Sequence, residues 1–156
     1  MRKLLPYKGV QWTLKHLRLQ VIDSLPYTYQ HFYGLDNPYK LFNRVKPLLT
    51  YRKDPEGLEL LQSVPSLMNP KKNWHKIAGA GDCDCFTLLT LAILSVNPVY
   101  NSVDKFAVLV GNNAEEPSHI YSAVKWHGKL IHIDFTNPAI NIERPYLYRQ
   151  YVPFNL

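Results

Sequence analysis

The sequence predicts an α+β protein, with N-terminal helices and a central buried helix packed on an antiparallel β-sheet. Three observations carry that prediction. Apolar residues before position 97 recur at helical spacing, whereas those after position 105 alternate. Phe86, Leu88, Leu89, Leu91, Ala92, Ile93 and Leu94 leave no clearly polar face, the mark of a helix buried all round. Two alternating segments meet at His127-Gly128, a hairpin turn signal.

At 156 residues the chain suffices for one hydrophobic core and is short for two, so residues 1–156 are read as a single domain, with 1–36 as a helical N-terminal extension. Leu14, Leu17 and Val21 predict a helix over 13–23, with Pro26 soon after its end. Asn37-Pro38 opens a second helix as cap and first-turn proline. It carries Leu41, Phe42, Val45 and Leu48 or Leu49 inward until Pro47 bends or ends it. Asp54-Pro55-Glu56-Gly57 is a turn, and Leu58–Val64 reads as a short helix before Pro65. Residues 65–81 read as a long ordered surface connection suited to a binding wall or lid. Gly79-Ala80-Gly81 leads into the central helix, 83–95, which Asn97-Pro98 closes. Strands follow at 105–110, 119–126 and 129–135, with 137–143 or 146–153 as a short edge strand.

The hairpin yields the sharpest inference. A tight loop at His127-Gly128 sets Tyr121 opposite Asp134 and His119 opposite Thr136. Alternation then puts Ile120, Val124, Trp126, Ile131, Ile133 and Phe135 on the core face. The other, polar face carries His119, Tyr121, Ala123 and Lys125 with Leu130, His132 and Asp134. His119 and Asp134 form a diagonal pair with Cβ atoms about 7 Å apart, near enough for a carboxylate to hold an imidazole.

Upstream, Cys83 falls where a glycine-rich approach meets a helix start, the setting that lowers a thiol pKa. With a histidine in reach and a carboxylate to orient it, the parts of a thiol nucleophile are present. Cys85 points elsewhere and reads as a buried small hydrophobe. Asp82 and Asp84 serve the helix terminus, and would oppose a thiolate unless turned away. The chemical rival is zinc, held by Cys83 and Cys85 with His119, His132 or His75. A lone C-x-C with scattered histidines argues weakly for it.

Gly81-Asp82-Cys83-Asp84-Cys85-Phe86 resembles the GDCDD(F/Y) motif of transglutaminase-like proteins. Ser118-His119-Ile120-Tyr121 and Ile133-Asp134 resemble their paired HVY and LD segments. Tyr51 to Gln62 looks like the YxxDPxGxExxQ stretch of bacteriophage members, and the resemblance spans 38–138. It implies a papain-like catalytic core, with Cys83 as nucleophile, His119 as base and then acid, and Asp134 orienting His119. The family includes crosslinking enzymes, peptidases, amidases and inactive structural versions. The family commonly has an acidic residue where this chain has Cys85. The Cys83 backbone N–H is the default oxyanion donor, with Gln62, Asn73 or Trp74 as candidates for a second. Tyr121 and His132 share the catalytic face as candidate substrate contacts.

The expected activity is thiol-dependent acyl transfer at an amide bond, as hydrolysis by a cysteine peptidase or amidase or as transamidation, with no cofactor and no metal. The alternative is a noncatalytic structural or adaptor protein of a phage particle. Expected partners are accordingly a peptide or protein substrate, or phage structural proteins. The 18 Lys and Arg against 12 Asp and Glu give a net charge of +6, gathered at Arg2–Lys8, Lys15–Arg18, Lys40–Lys53 and Lys71–Lys76. Such a surface attracts anionic partners. Without a helix-turn-helix or an Arg/aromatic texture, nucleic acid is not expected as the main one. No signal peptide and no membrane insertion are expected, since the longest apolar run, Leu88–Val96, is too short to span a bilayer. This places the chain in the host cytoplasm or on a virion.

Overall fold

A computed structural model describes residues 2–6, 10–55, 58–115 and 117–156, with backbone alone at 2–6, 58 and 59. The expected turn at 54–57 therefore lies partly outside the described residues. Helices are packed against an antiparallel sheet, a mixed α+β architecture.

Helix α1 (Val10–Phe32) is much longer than predicted and runs straight through Pro26. A proline inside a helix costs about 3 kcal/mol. The buried stripe Thr13, Leu17, Gln20, Val21, Ser24, Thr28 and Phe32 continues on both sides of it. Each large apolar side chain buried contributes about 1.5–3 kcal/mol, so packing outweighs the break. The carbonyl that Pro26 leaves without a donor belongs to Ile22, a residue on the exposed side. The segment read as an extension thus supplies Leu17, Val21 and Phe32 to the main core.

Helix α2 (Pro38–Val45) starts as expected, with the Asn37 side chain accepting from the Tyr39 N–H at 2.8 Å. Pro47 then sits in a short 3-10 turn, Lys46–Leu48. Leu58–Val64 is not a helix. Residues Leu58–Gln62 form a strand that pairs antiparallel with Arg2–Pro6, so we number the strands β1 (Arg2–Pro6), β2 (Thr50–Tyr51) and β3 (Leu58–Gln62). A run of seven residues is too short for periodicity to separate strand from helix, and a partner strand decides. Pro65 falls in the first turn of α3 (Val64–Met68), and the Val64 N–H is taken by Ser24 Oγ of α1 at 3.0 Å. The connection before the central helix closes with β4 (Ala80–Gly81), parallel to β2.

The central helix α4 (Cys83–Val96) is buried from Cys85 to Leu94 between α1 and the sheet. The sheet comprises β5 (Lys105–Gly111), β6 (Pro117–Trp126), β7 (Lys129–Ile133) and β8 (Tyr148–Pro153), in the order β7-β6-β5-β8, every pair antiparallel. Of the two edge strands considered, 146–153 forms, on the far side of β5. The β6–β7 register is the predicted one, from Ser122↔Ile133 to Trp126↔Lys129. His127 and Gly128 both take positive φ, 49° and 77°, as a two-residue hairpin loop requires.

The core face holds Ile120, Val124, Ile131, Ile133 and Phe135, as alternation predicts. The opposite face differs from its expected polar character. Val108, Val110, Tyr121 and Ala123 are buried there with Leu130, Tyr146 and Tyr151 against them. The cause is the segment after β7, which returns along the sheet and binds His132 through both its backbone groups: Asn141 N–H donates to His132 O at 2.9 Å and Asn141 Oδ1 accepts from His132 N–H at 3.0 Å. No described helix is long and apolar enough to cross a membrane.

Candidate active site

The thiol arrives on a helix start that is fixed from both sides. Asp82 caps α4 by accepting from the Asp84 N–H at 3.2 Å. Gly81 must be a glycine, because a Cβ there would stand 2.9 Å from Cys85 Cβ. Thr87 Oγ1 donates to Cys83 O at 2.7 Å and also reaches Ile120 O at 3.2 Å, seating the first turn of α4 on β6. Cys83 is consequently half-buried in a crevice shared with Thr87, Ile120 and Asp134, with no room for a water molecule.

The imidazole arrives on the neighbouring residue of that strand. His119 Nε2 is 2.7 Å from Asp134 Oδ2. The other carboxyl oxygen accepts from Thr136 N–H at 3.0 Å and Thr136 Oγ1 at 2.7 Å. With Nε2 engaged, the ring nitrogen left for chemistry is Nδ1. Tyr121 and Tyr146 flank the ring, with centroids 5.9 and 6.4 Å away.

Electrostatics divides these two halves. Burial pushes the Asp134 carboxyl up, but the His119 hydrogen bond and charge together with the two Thr136 donors outweigh it and hold the group below its ordinary range. The Cys83 thiol moves the other way. Burial, then Asp84 and Asp82, push it well up, against the Ile120 backbone, whose stabilising contact with the sulfur favours the thiolate. The charges of Asp84 and Asp82 thus oppose a Cys83 thiolate.

Asp54 joins them. The carboxyl oxygens of Asp54, Asp82 and Asp84 lie within 4.8 Å of one another, the only such trio of metal-ligating groups among the described residues. Burial, opposed by a hydrogen bond from Asp82 and the Leu60 N–H at 2.9 Å, raises Asp54 to about 6. The zinc grouping of Cys83 and Cys85 with histidines is not assembled among the described residues.

Two expected oxyanion donors are already spent. Gln62 is fully buried. Its amide donates to Ala80 O at 3.0 Å and faces Cys85 Sγ at 4.0 Å, while its oxygen accepts from the Trp74 N–H at 3.0 Å. Asn73, also fully buried, donates to Leu67 O at 2.8 Å and Ala80 O at 2.9 Å. Both amides fasten the 65–81 connection to β4, because buried carbonyls there demand donors, so neither is available to a substrate. The Trp74 side chain stays at the surface, 37% exposed. His132 is buried, with Nε2 2.9 Å from Tyr151 Oη. Tyr121 is buried between the two histidine rings, 5.7 Å from that of His132. Both stand as walls behind His119. Cys85 is wholly buried, its thiol donating to Leu60 O at 3.4 Å, as a small core residue would.

The sequence reading missed the opening beside His119. A cavity of about 450 Å³ is lined by His119, Lys46, Tyr51, Phe135, Arg144 and Tyr146, among others. No motif spacing links positions 46, 51, 144 and 146, which the fold alone brings together. Thr136 was placed opposite His119 without a role, although Asp-Phe-Thr has the two-residue offset at which an aspartate caps its own turn. The chain matches no protein-family model, no curated protein and no solved structure.

Proposed function

We propose that this protein is a thiol-dependent acyl transferase acting at an amide bond, a cysteine peptidase, amidase or transamidase on a transglutaminase-like, papain-like core. The observation that carries the reading is the 2.7 Å His119–Asp134 bond made through Nε2, which leaves Nδ1 for a thiol on the helix packed against the next residue of the same strand. Cys83 transfers its proton to His119 and the sulfur attacks the carbonyl. The Cys83 backbone N–H, at the first turn of α4, is the donor of choice for the oxyanion. The amide C–N bond breaks as His119 protonates the leaving nitrogen. Water or an amine then takes the acyl group, and the sulfur regains its proton through His119. The tightness of the crevice means that the substrate carbonyl enters only when the first turn of α4 or the facing Asp134–Phe135 wall moves outward.

The test is acetylation by 4-nitrophenyl acetate. A nitrophenol burst approaching one equivalent is expected, absent in Cys83→Ala and slowed by about 100-fold or more in His119→Ala. No burst, or one indifferent to His119, removes the catalytic reading. The tightness of the crevice and the thiol raised by burial and by Asp84 and Asp82 support the second reading, a noncatalytic structural or adaptor protein of a phage particle, for which Cys83→Ala leaves every function intact.

A further inference from the structure

We infer that the cavity beside His119 receives the amine side of the scissile amide, and that this amine carries a carboxylate. The inference rests on the acyl-transfer reading and names the substrate class of that site. Position comes first. His119 lines the cavity and Cys83 does not, so a group held there lies over the imidazole, which hands its proton to the departing nitrogen. The part of a substrate beyond that nitrogen is the part the cavity meets.

Charge comes second. Lys46 and Arg144 both line the cavity, and neither is in an ion pair among the described residues. Lys46 Nζ gives one hydrogen to Phe135 O at 2.5 Å, which anchors it and leaves two donors over. The carboxylates of Asp54, Asp82 and Asp84 act on Cys83 and also on Tyr51, a wall of the cavity. Within the cavity an anion is therefore drawn to the Lys46 and Arg144 end of the lining and away from the Tyr51 end, which the carboxylates influence. Size comes third. About 450 Å³ between the rings of Tyr51, Phe135 and Tyr146 is ample for one amino-acid residue and falls within the range of small-ligand pockets, about 300–1,000 Å³.

In the forward direction the Cys83 S–C bond forms, the amide C–N bond breaks, the His119 proton goes to nitrogen, and a carboxylate-bearing amine leaves. Water next forms the C–O bond as C–S breaks. In transamidation the same pocket holds the incoming amine instead. The carboxylate is either the main-chain terminus of an amino acid or an acidic side chain, two sources with one chemistry.

The experiment partitions the acetyl-enzyme among three amines at equal free-base concentration: phenylalanine, glutamic acid α-amide and phenylalaninamide. At least one carboxylate amine is expected to capture acetyl about tenfold better than phenylalaninamide, with the preference lost in Arg144→Glu and in Lys46→Met. Phenylalanine ahead assigns the main-chain carboxylate, and glutamic acid α-amide ahead assigns the side chain. Equal capture of all three, or a preference that survives both substitutions, overturns the inference. A second arm titrates the three amines into Cys83→Ala and follows the His119 ring by NMR. Saturable, Arg144-dependent shifts with the acids, in a protein whose wild type is not acetylated, keep the pocket and discard acyl transfer. Acetylation without such selectivity does the reverse.

Discussion

The two sides of the site are built on opposite electrostatic plans. On the sheet side a buried carboxylate is given three donors, and its charge is held in place by the imidazole and Thr136. On the helix side burial, and then the charges of Asp84 and Asp82, disfavour the charged form of the Cys83 thiol. The lesson is that the His119–Asp134 half is organised in advance, whereas the surroundings of Cys83 favour its neutral thiol. On the proposed acyl-transfer reading, the thiol would be charged by proton transfer to His119 at the moment of attack, helped by a substrate that screens the carboxylates.

The same isosteric change, carboxylate to amide, should therefore have opposite effects on the two sides. Asp134→Asn would present an N–H to Nε2 and stabilise the wrong tautomer, so the acetylation rate should fall by about 100-fold to 10,000-fold. A fall below tenfold would mean that Asp134 does not orient the ring. Asp84→Asn should raise the rate of Cys83 alkylation by iodoacetamide at pH 7 by about 3-fold to 10-fold, since only the thiolate reacts and one pKa unit is tenfold in its population. An unchanged pH–rate curve would show that Asp84 does not govern the thiol.

Stability should separate the sides as well. Asp134 has a folded pKa below its unfolded one, so its contribution is present above the ordinary carboxylate range, near about 3.9, and is lost as pH falls through the depressed value. Asp54, at about 6 when folded, does the reverse. It favours the fold in acid and costs stability as pH rises from its unfolded value through about 6. In urea denaturation, Asp54→Asn should raise the midpoint at pH 7.5 and leave it nearly unchanged at pH 4. Asp134→Asn should lower it at pH 7.5 and matter progressively less below pH 4. Parallel shifts at both pH values in either variant would contradict the assignment.

The sheet side was also the more legible in the sequence. Strict alternation and a two-residue loop fix register, and register alone brings His119 and Asp134 together. Cys83 was legible for a similar reason, as the first residue of an apolar helix behind glycines. What the sequence hid depends on partners far along the chain. Leu58–Gln62 becomes a strand because Arg2–Pro6 lies beside it. Pro26 is tolerated because Thr28 and Phe32 have a core to enter. Gln62 and Asn73 looked like catalytic amides, and lost that availability once Ala80 O was buried between them. The cationic cavity joins residues about a hundred positions apart, which no local pattern encodes.

One hydroxyl couples the two halves. Thr87 has a single proton for two carbonyls, Cys83 O at 2.7 Å and Ile120 O at 3.2 Å. A closer grip on one is a looser grip on the other. The turn bearing the sulfur and the ribbon bearing the ring are thereby geared together, and a substrate wedged between them would shift both members at once instead of prying a single one aside.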